Sequence, residues 1–190
     1  MSISSMTELE AVNLMLTNIG EAPVNTIEGT NMLDIAIAKQ VLREVLIEVQ
    51  EPGWDFNTES GITITPNEDG EIWFPINALR VDPVDRSLKV VMRGHRLYDK
   101  ENHTYEFSGP VDVEIVFGLE FEQCPQALRQ YVAIKAARIY QRRTVGSDLL
   151  EKLTQADEYN ALVKLNNFDT DTADYNMLTG SADVMRIIAR

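Results

Sequence analysis

Pairs of carboxylates are the first residues in this chain that suggest chemistry. Glu120 and Glu122 alternate along a predicted strand, as do Asp112 and Glu114. Glycoside hydrolysis uses two carboxyl groups about 5–10 Å apart across a sugar cleft, one of which carries a proton. The chain has 30 acidic residues, so pairs of this kind also arise by chance. A carbohydrate-degrading, glycoside hydrolase-like protein is therefore an alternative, and an assay with soluble oligosaccharides separates it from a non-enzymatic protein.

The histidines and the cysteine offer weaker sites. His95 and His103 flank a predicted turn and have no obvious third ligand. Zinc sites need three or four ligands, so we predict no metal site and no cofactor. Cys124 precedes Pro125 at a predicted helix start, where a thiolate can be stabilised. A buried structural thiol is the favoured interpretation, because free cysteine usually packs as a small apolar residue.

The stretch IGEAPVNTIEG, residues 19–29, contains the glycines of a phosphate-binding loop. Such a loop follows a strand and opens a helix, with its backbone amides pointing at the anion. Here Gly20 follows a predicted helix, and Glu21 and Glu28 would repel phosphate. We therefore predict a structural joint, in which Gly20 ends the first helix and Pro23 stiffens the connection.

The charge of the chain is negative and uneven. The net charge is −13 at pH 7, with 12 acidic and 2 basic residues in the segment 1–70. Tight binding of nucleic acid needs Lys and Arg against phosphate, which this balance opposes. A DNA-binding regulator is a second alternative, since the third predicted helix carries a basic patch of Lys135, Arg138, Arg142 and Arg143.

The sequence shows no signal for export or for membrane insertion. No apolar run approaches the roughly 18 residues that a membrane span needs. The first residues, MSISSMTELE, show no signal peptide, and a single cysteine excludes an internal disulfide. We expect synthesis in a reducing, cytoplasmic compartment and no membrane partner.

Helical periodicity appears at both ends of the chain. Thr7 and Glu10 fit a capping box, which predicts a first helix over residues 8–19 that stops at Gly20. Asn31 can cap a second helix that ends near residue 50, and Pro125 suits the first position of a third that ends near residue 141. A fourth helix is predicted from residue 148 to about 167.

The middle of the chain has the two-residue period of strands. Between residues 54 and 121, apolar and polar residues alternate, as in Val111, Val113 and Ile115, and turn sequences separate the segments. The pattern predicts an antiparallel meander or a small sandwich. The expected fold class is α+β: a four-helix assembly from residues 1–53 and 122–168, an inserted antiparallel β-domain over 54–121, and a C-terminal arm over 169–190.

Four segments resemble one known family. AVNLMLTNIGEAPVNTIEG (residues 11–29) is similar to the N-terminal signature of tail tubular protein A, the head-to-tail adaptor, or gatekeeper, of short-tailed phages (podoviruses). GWDFNTESGIT (53–63), CPQALRQYVAIKAAR (124–138) and DYNMLTG (174–180) resemble later segments of that family, in the same order. The region 65–121 resembles the family in its general β-strand character and not in specific motifs.

The resemblance implies a structural virion protein rather than an enzyme. Members of the family form a dodecameric ring below the portal protein, with the helical part against the portal and the β-part facing the nozzle, tail tubular protein B. DNA passes through the central channel during ejection without specific binding, and tail fibres are further neighbours. An acidic channel agrees with this role, because it lets DNA slide.

Charged and apolar residues are predicted to make contacts with neighbouring subunits or partners. Three acids on the second helix and three bases on the third each share a face, and we expect these faces to meet across the ring. Two solvated faces, or pairing within one bundle, are the alternatives. The arm is expected to insert apolar anchors into a neighbour, or to pack on its own subunit. The predicted contact residues are Glu44, Glu48 and Glu51, Lys135, Arg138 and Arg142, and Tyr175, Met177 and Leu178.

Overall fold

The protein is a mixed α+β chain. The structure, a computed structural model, describes residues 4–29 and 32–180, and for residues 148–153 and 174–180 it describes the backbone alone. These residues form four α-helices and two antiparallel sheets. The helices are α1 (Glu8–Asn18), α2 (Leu33–Gln50), α3 (Gln126–Thr144) and α4 (Asp148–Gly180). The strands are β1 (Thr58–Ile64), β2 (Ala78–Pro83), β3 (Val90–Arg93), β4 (Arg96–Asp99) and β5 (Val111–Phe117).

The chain divides into two compact units. The helical unit contains the described residues up to Val49 and from Glu120 onward, and the β unit spans Gln50–Leu119. The β unit is thus inserted into the sequence of the helical unit. The predicted boundaries for the inserted β-domain were residues 54 and 121.

Both ends of α1 follow local sequence signals. Thr7 Oγ1 accepts a hydrogen bond from the Glu10 amide (3.2 Å), and Glu10 Oε2 accepts one from the Thr7 amide (2.8 Å). This is the predicted capping box. Gly20 has a φ of +85°, and the amide of Glu21 donates to the Leu16 carbonyl at 3.0 Å. The helix therefore ends in a Schellman motif, which confirms Gly20 as its stop.

The ends of α2 and α3 differ in detail from the predictions. Asn31, the predicted cap of the second helix, lies outside the described residues. Pro125 is the N-cap of α3 and not its first helical residue, because its ψ of 151° is extended, so the helix begins one residue later than predicted. At its other end α3 continues three residues beyond the predicted residue 141, until Gly146 turns the chain with a φ of +67°.

The fourth helix is much longer than predicted. It continues without interruption to Gly180, so the segment 169–180 is helical and not an irregular arm. The hydroxyl groups of Thr170 and Thr172 donate to the carbonyls of Asn166 and Phe168, both at 2.9 Å. Polar residues that compete with helix formation elsewhere are thereby accommodated inside the helix. Residues 181–190 of the predicted arm lie outside the described residues.

The core of the helical unit is centred on α3, which packs against both α1 and α4. The side chains of α2 contribute an apolar stripe of buried residues, namely Ala38, Val41, Leu42, Val45, Leu46 and Val49. Among the side chains of α4 that the structure describes, those of Ala161 and Leu165 are buried. The largest fully buried side chains of this unit include Tyr140, Met15, Ile35, Leu128 and Leu165.

The β unit contains a three-stranded sheet and a two-stranded hairpin. The strand order in the larger sheet is β1-β5-β2, with both pairings antiparallel, and β3 pairs with β4. The predicted meander is therefore wrong, because the last strand inserts between the first two. Alternation along β5 is confirmed, since Val113 and Ile115 are buried while Asp112 is exposed. The core is formed by Ile72, Phe74, Ala78, Val81, Leu97, Val111, Val113 and Ile115.

Two buried amide side chains organise the ends of the β unit. Gln50 donates to the carbonyl of Leu119 (3.0 Å) and accepts from its amide (2.8 Å). Asn57 donates to the carbonyls of Gln50 (3.3 Å) and Phe117 (2.8 Å) and accepts from the amide of Trp54 (2.7 Å). Buried polar groups are tolerated when they are bonded in this way. The first and last residues of the unit are consequently tied to each other.

Candidate functional site

The loop after α1 is a structural joint that hydrogen bonds hold to the helix. Asn13 binds Val24 with both ends of its amide: Nδ2 donates to the Val24 carbonyl (2.9 Å), and Oδ1 accepts from the Val24 amide (2.7 Å). Further along, the amide of Glu28 donates to Thr26 Oγ1 at 3.2 Å. Glu21 and Glu28 are exposed. The sequence IGEAPVNTIEG thus builds a held loop with an acidic surface.

Two of the predicted acids, Glu44 and Glu48, form ion pairs with bases of the same chain. Glu48 lies 3.0 Å from Lys135 Nζ, and Glu44 lies 2.8 Å from Arg143 Nη1. The hydrogen bond from Arg143, followed by that from Gln40, lowers the pKa of Glu44. Pairing inside one bundle was an alternative to contacts across the ring, and Arg143 was not among the predicted contact residues. The intersubunit role of Glu44, Glu48 and Lys135 stays a prediction.

The remaining predicted contact residues lie on different elements of the chain. Arg138 pairs with Glu158 of α4, with both side chains largely buried. Glu51 follows the last residue of α2 and lies in the turn, so it does not share the helix face of Glu44 and Glu48. Arg142 is exposed in the last turn of α3. The backbone of Tyr175, Met177 and Leu178 is helical, and the contacts of these three side chains lie outside the described residues.

An arginine that the sequence patterns did not single out holds three chain segments together. Arg129 Nε donates to the carbonyl of Cys124 (2.7 Å), Nη1 to that of Met6 (2.8 Å), and Nη2 to that of Glu122. Met6 is further held through its amide by Gln126 Oε1 (2.7 Å). The segment before α1 is therefore attached to the start of α3. The partners of Arg129 are backbone carbonyls, and these leave no side-chain pattern in the sequence.

The first predicted carboxylate pair does not share a strand. Glu120 precedes the short 3-10 helix Phe121–Gln123, and Glu122 lies within it. The prediction of a common strand face is wrong because β5 ends at Phe117 and the chain turns before Glu120. Glu122 instead accepts a hydrogen bond from the amide of Glu8 at 3.1 Å.

The second predicted pair lies on the outward face of β5. Asp112 accepts a hydrogen bond from Thr63 Oγ1 at 2.6 Å, and Glu114 accepts one from Ser60. Asp82 stands directly opposite Glu114 on β2, and both line an open groove of about 890 Å³. Side chains opposite each other on antiparallel strands have Cβ atoms about 5 Å apart. Asp82 and Glu114 are therefore the carboxylates on which the hydrolase alternative rests in the structure.

Cys124 is a buried thiol. It is 3% exposed, and its Sγ lies 3.3 Å from the carbonyl of Glu120. Burial raises the pKa of the Cys124 thiol from its ordinary value of 9.0 to about 11, against a smaller lowering effect of Arg129. The thiol is therefore protonated at neutral pH, which agrees with the predicted structural role and not with a nucleophile.

We expect Cys124 to react slowly with thiol reagents in the folded protein. A pKa of about 11 instead of 9.0 lowers the thiolate fraction at pH 8 by about a hundredfold, and burial restricts access further. Labelling with a disulfide reagent should be at least about a hundredfold slower in buffer than in concentrated urea, where the same chain is its own control. Equal rates in the two conditions would contradict the buried, protonated thiol.

Metal and membrane sites have no support in the described part of the chain. Both histidines are exposed in the β unit, His95 in the hairpin turn and His103 with a φ of +55°. Among the described residues, no group of three or more His, Cys, Asp or Glu side chains is placed to hold a metal ion. No helix formed by these residues is long and apolar enough to cross a bilayer.

The β unit carries one exposed surface that combines cations and aromatic rings. Arg93 covers the ring of Tyr98 at 3.7 Å, and Arg96 lies over the rings of Tyr105 (4.3 Å) and Trp73 (5.3 Å). The rings of Tyr98 and Tyr105 meet edge to face at 4.9 Å. Trp73 is 53% exposed. We call this surface the cation–aromatic face; it comprises Trp73, Lys89, Arg93, Arg96, Tyr98, Lys100 and Tyr105.

Among the described residues, most of those that could do chemistry make contacts within the chain itself. The model of the family described as Tail tubular protein matches residues 9–175. The chain belongs to the tail tubular protein family, and it is a structural component of a phage tail. It is 31% identical over 160 residues to Tail tubular protein A of Klebsiella phage KP34, an alignment that covers 83% of this chain and 85% of that protein.

Proposed function

We propose that the protein forms an adaptor ring between the portal and the tail nozzle of a short-tailed phage. The ring is dodecameric, as in the family that the sequence resembles. The observation that carries this proposal is the similarity to Tail tubular protein A of Klebsiella phage KP34 over most of both chains. In this proposal the four helices form one assembly that docks against the portal, and the β unit faces the nozzle protein. Tail fibres are further neighbours.

The charge of the chain supports a channel role. The net charge is −13, so a ring of such chains surrounds its axis with negative charge. Duplex DNA is repelled by such a surface and does not adhere to it. We infer that the ring lines the DNA channel, supports DNA retention and lets DNA slide during ejection without specific binding.

The proposed ring predicts assembly on the portal. We expect the purified protein, mixed with purified portal protein, to form closed rings that negative-stain microscopy and light scattering detect. Monomers of the free protein agree with the proposal, since the portal can act as a template. Strict monomers in the presence of portal would count against it.

A carbohydrate-degrading role is the second candidate, because Asp82 and Glu114 face each other in an open groove. Retaining glycosidases place their two carboxyl groups about 5–5.5 Å apart. Here, however, Asp82 is paired with Arg80 at 2.9 Å and Glu114 accepts a hydrogen bond from Ser60, so both carboxylates already have partners within the chain. We expect no turnover of soluble oligosaccharides. Turnover that the substitution Glu114→Gln abolishes would favour the carbohydrate-degrading role over the adaptor ring.

A further inference from the structure

The cation–aromatic face is one side of the β3–β4 hairpin. Met92 and Leu97, which are paired in the hairpin, pack into the core. Their neighbours in sequence must therefore point outward, since side chains alternate along a strand. Arg93 stands opposite Arg96 in the register, and the bond from the Lys100 amide to the Lys89 carbonyl (2.8 Å) places these two lysines opposite each other.

This arrangement is unfavourable for the isolated chain. Like charges directly opposite on neighbouring strands destabilise a sheet, and the hairpin contains two such pairs. Arg96 is compensated by Glu71 at 2.7 Å. Within the described residues, Lys89, Arg93 and Lys100 form no ion pair, and all three are exposed. The hairpin thus maintains a positive charge that its own chain leaves largely unneutralised, which is typical of an interaction surface.

The rest of the chain offers the opposite charge. Residues 80–100 contain six basic and three acidic residues, although the whole chain carries −13. Residues 1–38 contain five acidic residues and neither Lys nor Arg. In a ring, each subunit contacts the next through two different surfaces of the same chain, which must be complementary. A cationic surface and an acidic segment on one chain meet that requirement.

We infer that the cation–aromatic face of one subunit docks the acidic loop, residues 20–29, of the next subunit. This inference rests on the proposed ring. The acidic loop is held by the Asn13–Val24 bonds and presents exposed Glu21 and Glu28. A rigid loop loses little conformational entropy on binding. Arginine, tyrosine and tryptophan are the residues that most often dominate interface energies, and the cation–aromatic face contains all three.

A protein partner fits this face better than a nucleic acid. Single-stranded nucleic acids bind by stacking bases on free aromatic rings. Here the ring of Tyr98 is already covered by Arg93, and its neighbour Tyr105 is covered by Arg96. The net charge of the chain also repels phosphate at a distance. Carboxylates of a neighbouring subunit, by contrast, can reach the guanidinium edges that the rings leave open.

Charge reversal tests the contact in the full-length protein. The variant Lys89→Glu/Arg93→Glu should raise the concentration needed for ring assembly on portal by at least about tenfold, because attraction becomes like-charge repulsion. Adding Glu21→Lys/Glu28→Lys should restore assembly to near the original concentration. The matched control for Arg93→Glu alone is Arg86→Glu, which changes the net charge by the same amount at an exposed arginine outside the cation–aromatic face and should have little effect. Circular dichroism confirms the fold of each variant.

Fluorescence gives an independent readout of the same contact. The chain has two tryptophans, so Trp54→Phe leaves Trp73, which is 53% exposed, as the sole reporter. Its emission should shift to the blue on assembly. Unchanged emission, equal losses in the control variant, or failure of the acidic-loop changes to rescue would each overturn the inference. So would loss of duplex DNA binding, with assembly intact, in the Lys89→Glu/Arg93→Glu variant.

The two hypotheses fail in different ways. If the unchanged protein does not assemble on portal, the proposed ring is wrong, and this contact with it. If the unchanged protein assembles and the charge-reversed variant assembles equally well, the contact alone is wrong and the adaptor function stands.

Discussion

A chain that ends at Phe168 should fold normally and fail to join the tail. Leu165 is buried, whereas the described side chains after it, up to residue 173, are exposed or half-buried. The deleted part of α4, residues 169–180, corresponds to about 18 Å of helix. Helical and strand signals in circular dichroism should persist, because the removed residues with described side chains add none to the buried core. Attachment to portal or nozzle protein should be lost, as measured by co-sedimentation.

Point variants test whether attachment depends on particular side chains near the end of α4 or on the length of the helix. Positions 175 and 178 share a helical face with Phe168, since they follow it by seven and ten residues. Tyr175→Ser/Leu178→Ser in the full-length chain should weaken attachment, whereas Asn176→Ala, between them, serves as the control. An unfolded truncated chain would show that the arm is part of the core. Undiminished attachment would show that it is not a contact surface.

Replacement of Arg129 by alanine should cost about 3 kcal/mol of unfolding free energy, since hydrogen bonds from a charged donor contribute roughly 1.5–3 kcal/mol each. Three carbonyls, those of Met6, Glu122 and Cys124, lose their donor together. The expected loss of unfolding free energy is smaller than the summed contributions of the three hydrogen bonds. The reason is that Arg129 is half-buried, so water can replace part of the bonding. Urea unfolding followed by circular dichroism measures the change.

Two further variants identify the cause. Arg129→Lys retains the charge and loses the forked donor geometry, so it should fall between the original protein and the alanine variant. Arg43→Ala removes an exposed arginine from α2 and should change stability by less than about 0.5 kcal/mol. Because Arg129→Ala removes a bond to the Cys124 carbonyl, labelling of the Cys124 thiol should also be faster in this variant. A stability for Arg129→Ala equal to that of Arg43→Ala would contradict the proposed role.

Local signals in the sequence were sufficient where a structure depends on neighbouring residues. The capping box of Thr7 and Glu10, the stop at Gly20 and the alternation of Val113 and Ile115 are all determined within a few positions. The strand order was not predictable in this way. Nothing in the turn sequences indicates that β5 inserts between β1 and β2, because the sheet is decided by packing of residues far apart in the chain.

The errors at the candidate contact residues have the same origin. The fourth helix was predicted too short because aspartate, threonine and asparagine are weak helix formers, and their bonds to preceding carbonyls cannot be seen in composition. Glu44 and Glu48 were correctly placed on one helical face, but the partner of Glu44, Arg143, lies 99 residues away. Arg129 escaped notice because backbone carbonyls, which every residue has, are its acceptors.

The bonds between Gln50 and Leu119 have an evolutionary consequence. The β unit begins and ends at two residues that hold each other, so an insertion or deletion in any of its loops need not move the points where the chain enters and leaves. Such a unit can be exchanged between related phages as a cassette. Gln50 and Leu119 are then the natural junctions for chimaeras, in which the β unit of a related chain replaces this one while the helices are retained.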